Sequence, residues 1–283
     1  MISALKQPIT TVTQACIFSV ALWGLTACSQ TVQTTQTVTT SDPSQWKKDP
    51  KEIAKVRTAI AAEFIRDHRL DDAKRQLESA LQSDKKYAPA YDMMGVLLQQ
   101  EGSPSNLQKA EGYFKQAISL DPEFVQARNN YGVYLSQMKR YNEAIAQFQI
   151  AGSALGYEGR ASALENLGRT ALKVNNRTLA TESFLKALDA NRQSIIARAE
   201  LIDILLADNR SLDAKQLHND LIFLLGDKNL DPRTLLQGAR IAKSTGNQLD
   251  LQKYTQLLFD RYPLSEEAKR LRIWLSNPAT IWK

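Results

Sequence analysis

Between residues 49 and 276 apolar side chains return every three or four positions, the spacing of one helical face. No run alternates apolar and polar over a strand's length, and no Asn-Gly or Asp-Gly pair marks a hairpin. The chain therefore reads as all-α from Asp49 onward. Asp49 suits an N-cap, Pro50 the first helical position, and Glu52 the carboxylate of a capping box. Residues 29–48 show almost no apolar periodicity and are rich in Thr, Gln and Ser. Such a segment cannot bury enough surface to offset its ordering entropy, so it reads as a disordered tether, about 25 Å end to end on average. Its one large apolar side chain, Trp46, is expected to pack on the first helix or a lipid surface. Ahead of the tether lies an uncharged apolar run, Ala15 to Leu25.

The helical stretch repeats. Ala110, Phe114 and Ala117 recur as Ala144, Phe148 and Ala151, then as Ala180, Phe184 and Ala187, then as Ala214, His218 and Leu221. Upstream, Ala73, Leu77 and Ala80 begin the series, and the steps are 34 to 37 residues. Twelve residues before four of the five trios stands Ala61, Gly132, Gly168 or Ile202; Gly95 precedes its trio by fifteen, the excess falling in Gly102-Ser103-Pro104-Ser105. Small residues at the eighth and twentieth positions and a bulky one at the twenty-fourth are the tetratricopeptide pattern. The small residues let two helices approach, and the bulky one is expected to plug the gap between neighbouring repeats. Leu164, Leu167, Gly168 and Ala171 display the first-helix half, and Asp121-Pro122 the closing proline. The repeats fall at about 54–87, 88–124, 125–158, 161–194, 195–228 and 232–265. The fifth is weak and the sixth degenerate, opened by Asp231-Pro232 with Gly238, Ala239 and Leu251 in the small and apolar positions. Residues 265–276 read as a capping helix ended by Asn277-Pro278, with Ile281-Trp282 a tail folding back on the last repeat. The expected architecture is a superhelix of about six helix pairs plus a cap.

Leu25-Thr26-Ala27-Cys28, followed by Ser29, closes the N-terminal apolar run. With Lys6 ahead of it, this reads as a lipoprotein signal over residues 1–27, cut between Ala27 and Cys28. The Cys28 thiol would carry lipid, and residues 28–48 would tether the helical domain at 49–283. An ordinary signal peptide followed by a chance cysteine, or a short anchor, is the alternative. The run is shorter than the roughly 20 residues a spanning helix needs. One acyl chain holds a protein only marginally, so stable anchoring takes more than one. Among bacterial lipoproteins an Asp after the cysteine tends to retain the protein in the inner membrane. Ser29 therefore implies the outer membrane, on its periplasmic face. With Cys16 removed in the signal and Cys28 acylated, no thiol remains for a disulfide, a metal or a nucleophile.

The formal charge of +6 falls to +5, 35 basic against 30 acidic residues, once Lys6 leaves with the signal. The basic residues are interspersed with acids, so no nucleic-acid stripe forms. No P-loop, His-Glu-x-x-His, Gly-x-Ser-x-Gly or Gly-x-Gly-x-x-Gly occurs. His68 sits at a helix–helix turn and His218 at the plug position of repeat five, so both read as structural. The chain is thus expected to be no enzyme. It should bind no metal, small-molecule substrate or nucleic acid, and carry no cofactor beyond the lipid on Cys28.

What remains is surface. In such a solenoid the first helix of each repeat lines the concave groove at positions two, five, nine and twelve. That places Gln126, Asn129, Val133 and Ser136 in the groove from repeat three, and Ser162, Glu165, Arg169 and Leu172 from repeat four. Asn129-Asn130 suggests a clamp for a partner's backbone amides, the alternative being two solvated side chains.

Three stretches carry a family likeness. They are Asn129-Asn130-Tyr131-Gly132 running to Lys139-Arg140-Tyr141-x-Glu143-Ala144; Glu165-Asn166-Leu167-Gly168; and Leu236-Gln237-Gly238-Ala239-Arg240-Ile241-Ala242-Lys243 with Arg261-Tyr262-Pro263. With the lipobox and six repeats, the whole chain resembles the type IV pilus biogenesis lipoproteins, the pilotins. The resemblance implies an adaptor that binds the pilus secretin and promotes its outer-membrane localisation and multimerisation. The longer Thr-rich tether and the weak fifth repeat depart from the family pattern. A periplasmic scaffold lipoprotein for cell-wall synthesis or outer-membrane protein assembly is the alternative.

Overall fold

The computed structural model describes residues 49–277 together with Trp282. The signal, Ala27, Cys28, the tether with Trp46, and Ile281 lie outside the described residues. Among the described residues there are thirteen α-helices and no strand. They form six pairs: α1 (Pro50–Arg66) with α2 (Leu70–Ser83), α3 (Ala88–Glu101) with α4 (Pro104–Leu120), and α5 (Val125–Gln137) with α6 (Tyr141–Ser153). Then come α7 (Arg160–Lys173) with α8 (Arg177–Ala190), α9 (Ile195–Ala207) with α10 (Ser211–Leu225), and α11 (Pro232–Ser244) with α12 (Gln248–Arg261). The cap, α13 (Glu266–Ser276), packs against α11 and α12. This is the tetratricopeptide-repeat superhelix the periodicity predicts.

Local chemistry sets the helix ends. The Asp49 carboxylate accepts from the Lys51 amide and Asp231 from the Thr234 amide, each just ahead of a proline in the first turn. Glu52 makes an exposed ion pair with Lys55, where a capping box would return its carboxylate to the Asp49 amide. Every turn inside a pair needs one left-handed residue, at φ between 57° and 73°: His68, Gly102, Lys139, Asn175, Asn209 and Gly246. That requirement is what His68 answers.

Packing follows the trios, with one correction to the sequence reading. Phe114, Phe148 and Phe184 are buried, and each lies over the glycine of its own repeat rather than serving only the gap between repeats. A Cβ on Gly132 would stand 2.7 Å from the Phe148 ring, and one on Gly168 2.6 Å from Phe184. Phe114 also reaches forward, 5.7 Å between centroids from Tyr134 of the next repeat. The plug of repeat six is Tyr254, whose ring would meet a Cβ on Gly238 at 2.8 Å.

One apolar cluster runs from α1 into α9, and a second joins α11, α12 and α13. A smaller cluster on α9 and α10, reaching Ile241, lies between them. That seam is where His218, Thr234, Gln237 and Arg240 are buried, so polar contacts stand where earlier repeats use apolar ones. At the far end Trp282 stacks on Trp274 at 5.4 Å between centroids.

Candidate partner-binding groove

The first helices of successive pairs lie side by side, α1 against α3, α3 against α5, α5 against α7 and α9 against α11. Gln126, Val133, Ser162 and Arg169 are exposed along this row, and Asn129, Asn130 and Ser136 are partly buried. Two assignments change. Glu165 is buried and accepts from the Ser194 hydroxyl at 2.6 Å, so it ties α7 to the N-cap of α9. Leu172 packs against the core cluster.

Asn130 is not a free clamp either. Its Nδ2 donates to Asp92 Oδ2 at 2.9 Å. Asp92 is fully buried, and its other oxygen has no partner. Burial pushes this carboxyl up to about 7, against the lowering effect of the Asn130 bond. Asn129 keeps its Nδ2 available and accepts from Asn166 Nδ2 at 3.3 Å.

These bonds belong to a ladder that crosses the repeats. Gln99 donates to Gln137 at 2.7 Å, and Arg169 reaches Glu200 at 3.2 Å. Arg233 pairs with Glu200 at 2.9 Å and Asp203 at 2.8 Å, and Arg240 with Asp203 at 3.1 Å. Burial opposes the Glu200 charge, yet Arg233 and Arg169 hold its carboxyl below the usual range. Sequence reasoning missed Asp92, Gln99, Gln137, Asn166, Glu200, Asp203, Arg233 and Arg240. One signal was present: four of the bonded pairs are separated by 37 or 38 residues, close to the repeat period.

Two of the hollows on the helices lie near the start of this row. One of about 440 Å³ is lined by Val96, Gln99, Gln100, Asn130, Val133 and Gln137, and so lies between α3 and α5. The other, about 590 Å³, lies on α1, where Ile53, Val56 and Ile60 meet Arg57, Glu52 and Gln76. Val56 and Ile60 are exposed, an apolar face left bare on the first helix of the stack. The sequence did not mark it, because outward apolar residues on an end helix share the spacing of buried ones.

Elsewhere the polar chemistry is mechanical. Glu111 Oε1 accepts from Tyr131 at 2.9 Å and pairs with Arg140 and Lys115, each at 2.8 Å, which fastens repeat two to repeat three. Burial would raise the Glu111 carboxyl, but these donors outweigh it and hold it at about 2. His218 Nε2–H donates to the Thr234 carbonyl at 2.8 Å, and its ring meets Tyr254 edge-on. Burial keeps His218 below its ordinary value, hence neutral. Among the described residues no group of three or more His, Cys, Asp or Glu side chains could hold a metal ion.

The tetratricopeptide-repeat family model matches residues 113–146, the junction of repeats two and three. The type IV pilus assembly protein PilF of Pseudomonas aeruginosa is 30% identical over 259 residues, 91% of this chain and 96% of that protein. The chain belongs to the PilF family. The solved structure of Pseudomonas aeruginosa PilF covers 80% of this chain and 99% of its own, at TM-score 0.72 and 28% identity. PilW, a type IV pilus biogenesis factor, covers 78% of this chain and 99% of its own, at TM-score 0.66 and 26% identity. Within the PilF fold, the ladder of this chain turns the groove into a row of paired polar side chains with few free ends. Among the described residues of repeats three and four those free ends are Gln126, the Asn129 amide, Ser136 and Ser162, with Val133 between them.

Proposed function

We propose that this protein is an outer-membrane-anchored adaptor of type IV pilus assembly, a pilotin that binds the pilus secretin and promotes its localisation and multimerisation. The observation that carries this reading is the likeness to PilF over nearly the full length of both chains. Two features support it. The row of first helices offers an extended surface with no catalytic grouping among the residues facing it, which suits recognition of a chain segment. Leu25-Thr26-Ala27-Cys28 supplies a lipid attachment site, and Ser29 an outer-membrane address.

The mechanism is one of placement. Lipid on Cys28 confines the adaptor to the membrane where the secretin inserts. The groove then raises the local concentration of correctly placed subunits. Recognition is spread over several repeats, and polar contacts at a wet interface are worth about 1 kcal/mol each. Single substitutions are therefore expected to do little.

The test is the ratio of heat-resistant secretin multimer to monomer in a strain lacking this protein and complemented with variants. Gln126→Ala, Asn129→Ala and Val133→Ala together should lower the ratio while fold and membrane location stay intact. Asn130→Ala is a poor probe, because it strips buried Asp92 of its one donor. Normal multimers in the uncomplemented strain would refute the pilotin reading and leave the envelope-scaffold role to be tested.

A further inference from the structure

The last part of the groove holds donors that its own ion pairs leave unused. Arg240, on α11, is 9% exposed; it gives one N–H to Asp203 Oδ1, and its Nε is buried without a partner. One turn earlier Gln237 is 1% exposed, donates to the Ala199 carbonyl at 2.9 Å, and leaves its Oε1 buried without a partner. Both side chains line an open hollow of about 350 Å³ with Asp203, Arg233, Glu267 and Arg270. Arg233 is fully engaged by Asp203 and Glu200. Arg270, exposed on α13, has no ion pair among the described residues. It stands near enough to oppose the charge of Arg240, which burial already disfavours.

Two guanidinium groups lining one hollow, one of them desolvated and short of acceptors, are stable only at a cost that an incoming anion relieves. The lining carries three positive charges against two negative ones, an excess of one. We propose that this hollow between α9, α11 and α13 is a carboxylate subsite, in which Arg240 and Arg270 bind an acidic side chain of a partner segment lying in the groove. The subsite rests on the adaptor reading for its partner. A singly charged carboxylate matches the excess, whereas the second charge of a phosphate would face Asp203 and Glu267 uncompensated. The planar fork of Arg suits a carboxylate's two oxygens.

The probe is N-acetyl-glutamate N-methylamide, whose one charge is a side-chain carboxylate. It is titrated into the nitrogen-15-labelled full chain in detergent micelles, with the Arg240 Nε–H resonance followed by NMR. A saturable shift is expected, absent with N-acetyl-glutamine N-methylamide. Arg270→Gln, at an exposed site that leaves the fold intact, should weaken the affinity roughly five- to tenfold by removing one charge-assisted contact. Three results would overturn the subsite: no saturable shift, an equal shift from the glutamine compound, or undiminished affinity in Arg270→Gln. Tighter binding of inorganic phosphate would make it a phosphate site, and tighter binding of N-acetyl-alanine a terminal-carboxylate site; either rejects the proposal as stated. The titration contains no secretin, so its failure leaves the adaptor reading untouched. Normal multimers in the deletion strain would remove the partner without touching the chemistry of the hollow.

Discussion

Asp92 carries a carboxylate into an interior where Asn130 gives one hydrogen bond and the second oxygen meets nothing. Its ordinary pKa is 3.8, and in the fold burial raises it to about 7. Between those values the folded state holds a proton that the unfolded state has lost. Stability is therefore greatest at low pH with respect to this group and falls as pH rises through that window. Asp92→Asn keeps an acceptor for Asn130 and removes the charge. It should raise the unfolding free energy at pH 8 by about 1–3 kcal/mol and give little gain at pH 4. Chemical denaturation at the two pH values measures this, and an equal effect at both would show that Asp92 is ionised throughout. His218 acts in the opposite direction. Its folded pKa lies below 6.5, so the unfolded chain takes the proton first and stability is lost as pH falls below that value. Subtracting the Asp92→Asn curve from that of the wild type separates the two groups. Glu111 enters only in acid, since a carboxyl held at about 2 stabilises above its ordinary 4.5 and ceases to as pH falls toward 2.

Helix pairs depend on the contact of a ring with a bare backbone. Gly168 and Phe184 sit 16 residues apart, one on each helix of pair four, and the ring fills the space a side chain on Gly168 would need. Gly168→Leu should cost about 2 kcal/mol or more by overpacking, and Gly168→Ala less. Shrinking the ring relieves the clash, so Phe184→Leu combined with Gly168→Ala should cost less than the sum of the two single changes. Urea unfolding of the four proteins closes this cycle. Strict additivity would mean that the two residues do not meet. The same pair shows what the sequence exposes. A residue that must be small and a residue that must be large, at a fixed offset, repeat visibly; Gly132 with Phe148 and Gly168 with Phe184 can be read without coordinates. Tyr254 was hidden because Asp250 and Leu257 stand where the first four repeats have alanine, which dissolves the trio around it. The groove ladder was hidden for a different reason. Asn129, Glu200 and Arg233 each look like a solvated residue of an amphipathic helix, and only the stacking of repeats decides that they face one another. Glu165 shows the converse, a charge assigned to the binding groove that is instead buried and bonded to the Ser194 hydroxyl.

At the scale of the molecule, a superhelix of paired helices offers a long surface and no enclosed centre, so its use depends on where it is held. Address and recognition should then be separable. Cys28→Ala is expected to leave the unfolding midpoint of the helical domain unchanged, because the repeats begin at Asp49, 21 residues further along the chain. It should also shift the protein out of the outer-membrane fraction and lower secretin multimers. Binding to a membrane-inserted secretin could hold some unlipidated protein in place, which would disguise the loss of the anchor. Fractionation is therefore to be done in a strain that also lacks the secretin. There the wild type should remain with the outer membrane through its lipid, while Cys28→Ala should become soluble in the periplasm or stay unprocessed. The groove triple variant should behave as wild type in this assay and fail only in the multimer assay. Should Cys28→Ala cofractionate with the outer membrane at the wild-type level without secretin, lipid on Cys28 would not be the anchor, and the reading of Leu25-Thr26-Ala27-Cys28 as a lipobox would fall with it.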